Sequence, residues 1–326
     1  MNSLQDLRTA DYTPAPEQLP QLPASPLRLH LVGLGDVGRA AAVGFRLLGG
    51  ERLCAIGLYD LNEAQCARMV LELGQILPPC GGRSLPKAGT VTEDALFACD
   101  VFLFCATRGV PPLGAGGDVR MAQFAANREL VAHYARAAAA ANFKGLFGVV
   151  SDPVDLLCLA AFEAAKDAGG LAPGQIQGFG LGVMYARAAW YAAELALPEF
   201  AADGRVFGPH GAGLVAANSI REAGYNEAVS LALTEKTIQA NLAVRELGFK
   251  PYIAPALSSC VMSVLAAVSG RWNDSARYLH GLWFGARNRL TASGTEWEAT
   301  PLPAPLFTRI AKSYHDLEQT WLDVNC

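Results

Sequence analysis

The chain has 326 residues, 52% of them hydrophobic and 17% charged, with a formal net charge of −4. That balance excludes a disordered chain, and the 26 basic residues, interspersed with 30 acidic ones and forming no Lys/Arg run, argue against a surface that coats nucleic acid. At roughly 100–200 residues per domain the length implies two domains or one large α/β unit, either with a sizeable core.

The first 26 residues carry Pro14, Pro16, Pro20, Pro23 and Pro26 and read as an extended arm rather than a packed element. They lack the basic and apolar regions of a secretory signal. From Leu27 a repeating alternation sets in. LRLHLVG is a short strand, DVGRAAAVGFRLLG a helix, RLCAIGLYD a strand and NEAQCARMVLELGQIL a helix. DVFLFCAT, a helix from about Asp118 to Ala141, GLFGVVSD and a helix from about Val154 continue the series. Apolar strands alternating with helices predict a parallel sheet covered on both faces. After about Gly170 the pattern changes to long Ala-rich helices (about 184–197, 226–247, 255–269 and 305–324) around short β-like pieces such as GRVFG and NRLTASG. The expected architecture is α/β: an arm over 1–26, a Rossmann-type doubly wound parallel sheet over 27–170, and a second, α+β domain over 171–326.

Eight cysteines (54, 66, 80, 99, 105, 158, 260 and 326) lie singly in apolar segments without a CxxC pair. They are expected to be buried, reduced thiols in a reducing compartment, so the cytoplasm is the default location and no metal site is expected. No apolar run reaches the length needed to span a bilayer, and no membrane partner is expected.

Gly33-Leu34-Gly35-Asp36-Val37-Gly38 is a G-x-G-x-x-G that ends a predicted strand and opens a predicted helix. In that context the first glycine permits a tight turn, the second admits a pyrophosphate against the backbone, and the third lets helix and strand pack closely. Asp60 ends the next strand, where a carboxylate accepts hydrogen bonds from ribose hydroxyls and repels a 2′-phosphate; this favours NAD over NADP. Three further segments carry chemistry: Ser151-Asp152-Pro153-Val154-Asp155 at a strand's carboxyl edge, Arg187 as a lone cation in an apolar helix, and His210 in FGPHGAG.

Taken in order, these segments resemble the lactate/malate dehydrogenase family over nearly all of the chain from Leu27. GLGDVG and Asp60 are similar to its cofactor turn and ribose acid. Arg120 and Asn127 in RMAQFAAN resemble its mobile-loop arginine and following asparagine. SDPVD resembles NPVD, MYAR resembles DSAR with Arg187 as the carboxylate-binding arginine, and GPHG resembles the G-x-HG of the catalytic histidine. The resemblance implies hydride transfer between the nicotinamide of NAD and C2 of a 2-hydroxy or 2-oxo acid. His210 would hold or give the hydroxyl proton, Arg187 would bind the substrate carboxylate, and Arg120, on a closing loop, would polarise the carbonyl. Asn127 would join Gly33, Gly35, Asp36, Val37, Gly38 and Asp60 around the cofactor, and the protein would be a homodimer or homotetramer.

Two departures stand out. Met184 occupies the position of the aspartate that orients the family's histidine, and Asp152 replaces the asparagine of NPVD. Either Asp152 has become the partner of His210, or it faces the substrate and selects an amine or imine. Decay to a silent NAD-binding protein is the third possibility. The segment from Ala106 to Arg120 is also longer than the family's loop, so the role of Arg108 cannot be read. Lys250 falls where the family has a substrate-pocket wall, as a cation for a second anionic group or as a solvated surface lysine.

Overall fold

The computed structural model describes residues 2–14, 17–79, 82, 84–108, 119–166 and 168–325, with Val119 and Arg120 as backbone only. The first half alternates as its sequence predicts: β1 (Leu27–Val32), α1 (Asp36–Leu48), β2 (Leu53–Tyr59), α2 (Glu63–Gly74), β3 (Lys87–Thr90), β4 (Val101–Phe104), α3 (Val119–Ala140), β5 (Leu146–Val149) and α4 (Val154–Lys166). The second half comprises β6 (Ile176–Gly178), α5 (Leu181–Glu194), α6 (Phe200–Asp203), β7 (Arg205–Phe207), β8 (Val215–Ala217) and α7 (Glu227–Glu246). A π-helical segment (Pro255–Met262) runs into α8 (Ser263–Ala267), followed by β9 (Asn273–Leu279), β10 (Leu282–Thr291), β11 (Gly294–Trp297) and α9 (Ala304–Asp323).

One nine-stranded sheet runs through the molecule in the order β11-β10-β9-β6-β5-β4-β1-β2-β3. The six strands from β3 to β6 are mutually parallel, in the doubly wound order 3-2-1-4-5-6. The order reverses between β1 and β4, so the loops after these two strands open a crevice at the carboxyl edge, where such sheets bind ligands. β4 and β5 are buried along their full length, which explains their unbroken apolar sequence.

β9 joins β6 antiparallel through Gly178 and Ala276, and β10 and β11 continue in the same sense. The sequence reading recognised only the end of this meander, because β9 carries Asn273, Asp274, Ser275 and Arg277 in buried positions. Partners rather than apolarity make these residues core: Ser275 Oγ accepts from Gln177 Nε2 (2.8 Å), Asn288 Nδ2 donates to the Ser275 carbonyl (3.0 Å), and Asp274 faces Arg287 (3.4 Å).

The amino-terminal segment corrects one expectation. It is extended but packed on its own chain: Leu4 and Leu7 enter the main core cluster, and Gln21 N donates to the Lys144 carbonyl (2.7 Å). Glu17 meets the wholly buried Arg277 at 3.2 Å. Leu4 and Leu7, ahead of the prolines, and Glu17, among them, supply the contacts. A second correction concerns the thiols. Cys66, Cys105, Cys158 and Cys260 are buried, but Cys54 is exposed and Cys99 half-buried; Cys80 and Cys326 lie outside the described residues. The six described thiols are all free.

Candidate active site at the sheet's switch point

The glycine turn stands at the carboxyl end of β1. Gly33 has φ +94°, and a Cβ there would lie 2.5 Å from the backbone of Ala106, which follows β4; only glycine lets the two strand ends approach this closely. A Cβ on Gly38 would lie 1.9 Å from the Gly33 carbonyl oxygen, whereas one on Gly35 would meet nothing within 4 Å. The middle glycine therefore borders open space at the N-terminus of α1, which begins with Asp36 and Val37. That surface suits a pyrophosphate. Asp60 is tied to the same turn, its Oδ2 accepting from Leu34 N (2.6 Å) and its Oδ1 from Asn62 N (2.9 Å). Turn, helix end and carboxylate together form a cradle that fits a dinucleotide.

Lys250 lies on this side of the crevice. Its Nζ is 3.7 Å from Asp36 Oδ2 with the side chain 87% exposed, so it is a solvated lysine beside the glycine turn and not part of a substrate-pocket wall.

Across the crevice, the end of β5 and the loop after β7 bring the predicted chemistry together. His210 Nδ1 is 2.7 Å from Asp152 Oδ1. Asp155, in the first turn of α4 and only 3% exposed, accepts the backbone N–H of His210 at 3.2 Å. The strand-end motif thus holds the histidine twice, by its ring and by its main chain. Met184 is buried on α5 and directs its sulfur to Arg187 Nη1 at 3.4 Å. The second guanidinium nitrogen, Nη2, donates to Asn241 Oδ1 on α7. Burial pulls the Arg187 pKa below its ordinary value, and the nearby Asp152 carboxylate opposes that shift.

Asn127 on α3 is almost wholly buried. Its amide donates to Thr107 Oγ1 (3.2 Å) and the Asp152 carbonyl (3.1 Å), and its oxygen accepts from Arg108 N (2.9 Å). With Ser151 Oγ donating to the Ala106 carbonyl (2.7 Å), it joins the ends of β4 and β5. The segment 109–118 and the side chain of Arg120 lie outside the described residues.

Asp155, Thr107 and Asn241 are additions to the residues expected from sequence. Asp155 was visible as the last residue of SDPVD, but an acid in a first helical turn has an ordinary explanation in the helix dipole. Asn241 left no signal, because its partner is 54 residues away.

Among the described residues no group of three or more His, Cys, Asp or Glu side chains could hold a metal ion, and no helix is long and apolar enough to cross a membrane.

No family model and no curated protein matches the chain. Solved structures do. A minor L-lactate dehydrogenase from Enterococcus mundtii superposes with a TM-score of 0.75 at 18% identity, covering 92% of this chain and 98% of the other. A lactate dehydrogenase from a Medee basin deep-sea metagenome library gives 0.76 at 15% identity, covering 92% and 99%. Malate dehydrogenase from Plasmodium falciparum gives 0.71 at 16% identity, covering 90% and 97%. The strand order, the crevice at its reversal and these superpositions lead to one conclusion: the chain has the fold of the lactate and malate dehydrogenases.

Proposed function

We propose that this protein is a divergent member of the lactate/malate dehydrogenase family, an NAD-dependent oxidoreductase acting at C2 of a 2-hydroxy or 2-oxo acid. The observation that carries the reading is the 2.7 Å contact between His210 Nδ1 and Asp152 Oδ1, made near the half-buried Arg187. The carboxylate absent at Met184 reappears at Asp152 on the ring nitrogen it must reach, which supports a retuned acid–base pair over a decayed one.

Gly33, Gly35, Asp36, Val37 and Gly38 would hold the dinucleotide's pyrophosphate, and Asp60 its ribose hydroxyls. Asn127 would shape that pocket through the strand ends it joins. NAD, when bound, accepts or supplies the hydride. With its Nδ1 proton donated to Asp152, His210 presents Nε2 as the base that takes the substrate's hydroxyl proton during oxidation and returns it during reduction. Asp152 stabilises the imidazolium that forms, and Asp155 keeps the His210 backbone from rotating the ring away. Arg187 would bind the substrate carboxylate with its planar fork.

Oxidation of NADH with a panel of 2-oxo acids, with and without ammonium, tests the reading. Turnover is expected with at least one acid, and His210→Ala should abolish it. NADH binding without turnover on any of them would mark a silent binding protein. Turnover only with ammonium present would instead favour an imine substrate.

A further inference from the structure

Arg187, half-buried on α5, differs in what it touches from the buried Arg205 and Arg277 and the half-buried Arg287, and is closer to the buried Arg46, which three backbone carbonyls hold. Arg205 meets Glu298 through two bonds (2.5 and 2.6 Å), Arg277 meets Glu17 (3.2 Å), and Arg287 meets Asp274 (3.4 Å). Each of those charges is matched by a carboxylate inside the protein. Arg187 is held by the Met184 thioether and the Asn241 amide, both neutral. The nearby Asp152 carboxylate favours its charge, while the two groups that hold this half-buried cation are neutral, so its orientation is set without an internal ion pair at those bonds.

We propose that Asn241 is a positioning residue that fixes the Arg187 fork without neutralising it, and so reserves the guanidinium for the carboxylate of the substrate. This rests on the reading of Arg187 as the carboxylate-binding group. A carboxylate at position 241 would have the same shape and reach but would form an internal ion pair, against which an incoming carboxylate would have to compete. An apolar residue there would leave Nη2 without a partner and the fork free to turn. The amide alone combines anchorage with zero charge.

The test compares Asn241→Asp, Asn241→Ala and Arg187→Ala in the full chain. The probe is oxalate, titrated calorimetrically with NADH present, alongside KM and kcat for whichever 2-oxo acid is turned over. Asn241→Asp should weaken oxalate about tenfold to a hundredfold, the equivalent of losing one charged hydrogen bond. KM should rise in parallel, with kcat within about twofold, since the group acts on binding and not on proton transfer. The weakening should shrink as pH is lowered through the carboxylate range and the introduced group protonates, a response that a packing defect would not show. Asn241→Ala should weaken oxalate less than Asn241→Asp and without that pH dependence. NADH affinity should match the unmodified chain in both, and melting temperature in Asn241→Asp, while Asn241→Ala should lose a few degrees for the unpartnered Nη2.

If Arg187→Ala binds oxalate as the unmodified chain does, or if that chain binds none, the carboxylate role of Arg187 fails and this inference with it. If Arg187→Ala loses oxalate while Asn241→Asp keeps it, or if Asn241→Asp loses kcat and melting temperature together, the inference about Asn241 alone is overturned.

Discussion

At the scale of single residues the site turns on which atom a carboxylate can reach. The carboxylate on His210 Nδ1 is Asp152, from the end of β5, while Met184 on α5 turns its sulfur to Arg187. Asp152→Asn would keep the shape and remove the charge that steadies the imidazolium. On the proposed reading its kcat should fall by about 10⁴, the scale seen when the orienting aspartate of a serine protease is neutralised, while NADH affinity stays unchanged. Fluorescence titration and turnover separate the two effects.

His30 provides a pH prediction away from the site. It is buried in β1, Nδ1 bonds the Leu96 carbonyl at 2.8 Å, and burial lowers its pKa from the ordinary 6.5. A histidine depressed in the fold contributes stability above its unfolded pKa and loses it as pH falls from there towards the folded value. Melting temperature should therefore decline below about pH 6.5, and His30→Gln should flatten that part of the decline. An identical pH dependence in both proteins would show that His30 does not titrate on unfolding.

At the scale of elements, the β1-turn-α1 unit was legible because its constraint is local: three glycines, one helix start and one strand end lie within a dozen residues. The structure adds a distinction between the glycines. Gly38→Ala would force a methyl against the Gly33 carbonyl and should destabilise the unit, whereas Gly35→Ala meets no protein atom within 4 Å. Gly35→Ala should leave the melting temperature within about 1 °C, since an added methyl without a clash changes stability little. It should nonetheless weaken NADH at least tenfold if the pyrophosphate approaches there. Unchanged NADH affinity would remove the glycine turn from the cofactor site. The β9–β10 hairpin shows the opposite case. Ser275, Gln177 and Asn288 bond one another across strands, while Asn273 Oδ1, Asp274 Oδ1 and Arg287 Nε stay without a hydrogen bond, and periodicity of apolar residues carries no trace of either.

At the scale of the whole molecule, the amino-terminal segment acts as a fastening. Arg277 is wholly buried and Glu17 is its carboxylate, so Glu17→Ala would leave an uncompensated charge in the core. A loss of about 3–5 kcal/mol in urea unfolding is expected, against a much smaller loss for a surface pair such as Lys312 and Asp316. Exposed apolar side chains also lie on neighbouring elements, Leu47 and Leu48 on α1 with Ile253 and Met262 at the π-helical segment packed against it.

By itself the sequence determined the doubly wound half and the glycine turn, because both are written in contiguous residues with a short-range physical reason, and through a family resemblance it marked Asp60, Asp152, Arg187 and His210 as the groups to watch. It left two partners open for Asp152. Only the tertiary structure brings that carboxylate to His210 Nδ1, across 58 residues of chain, which supports the first of the two. Asn241 on Arg187, Asp155 under the His210 backbone and Glu17 on Arg277 belong to the same class. Each joins residues from separate elements, and the distances among them are set by how helices and strands pack, which no local pattern encodes.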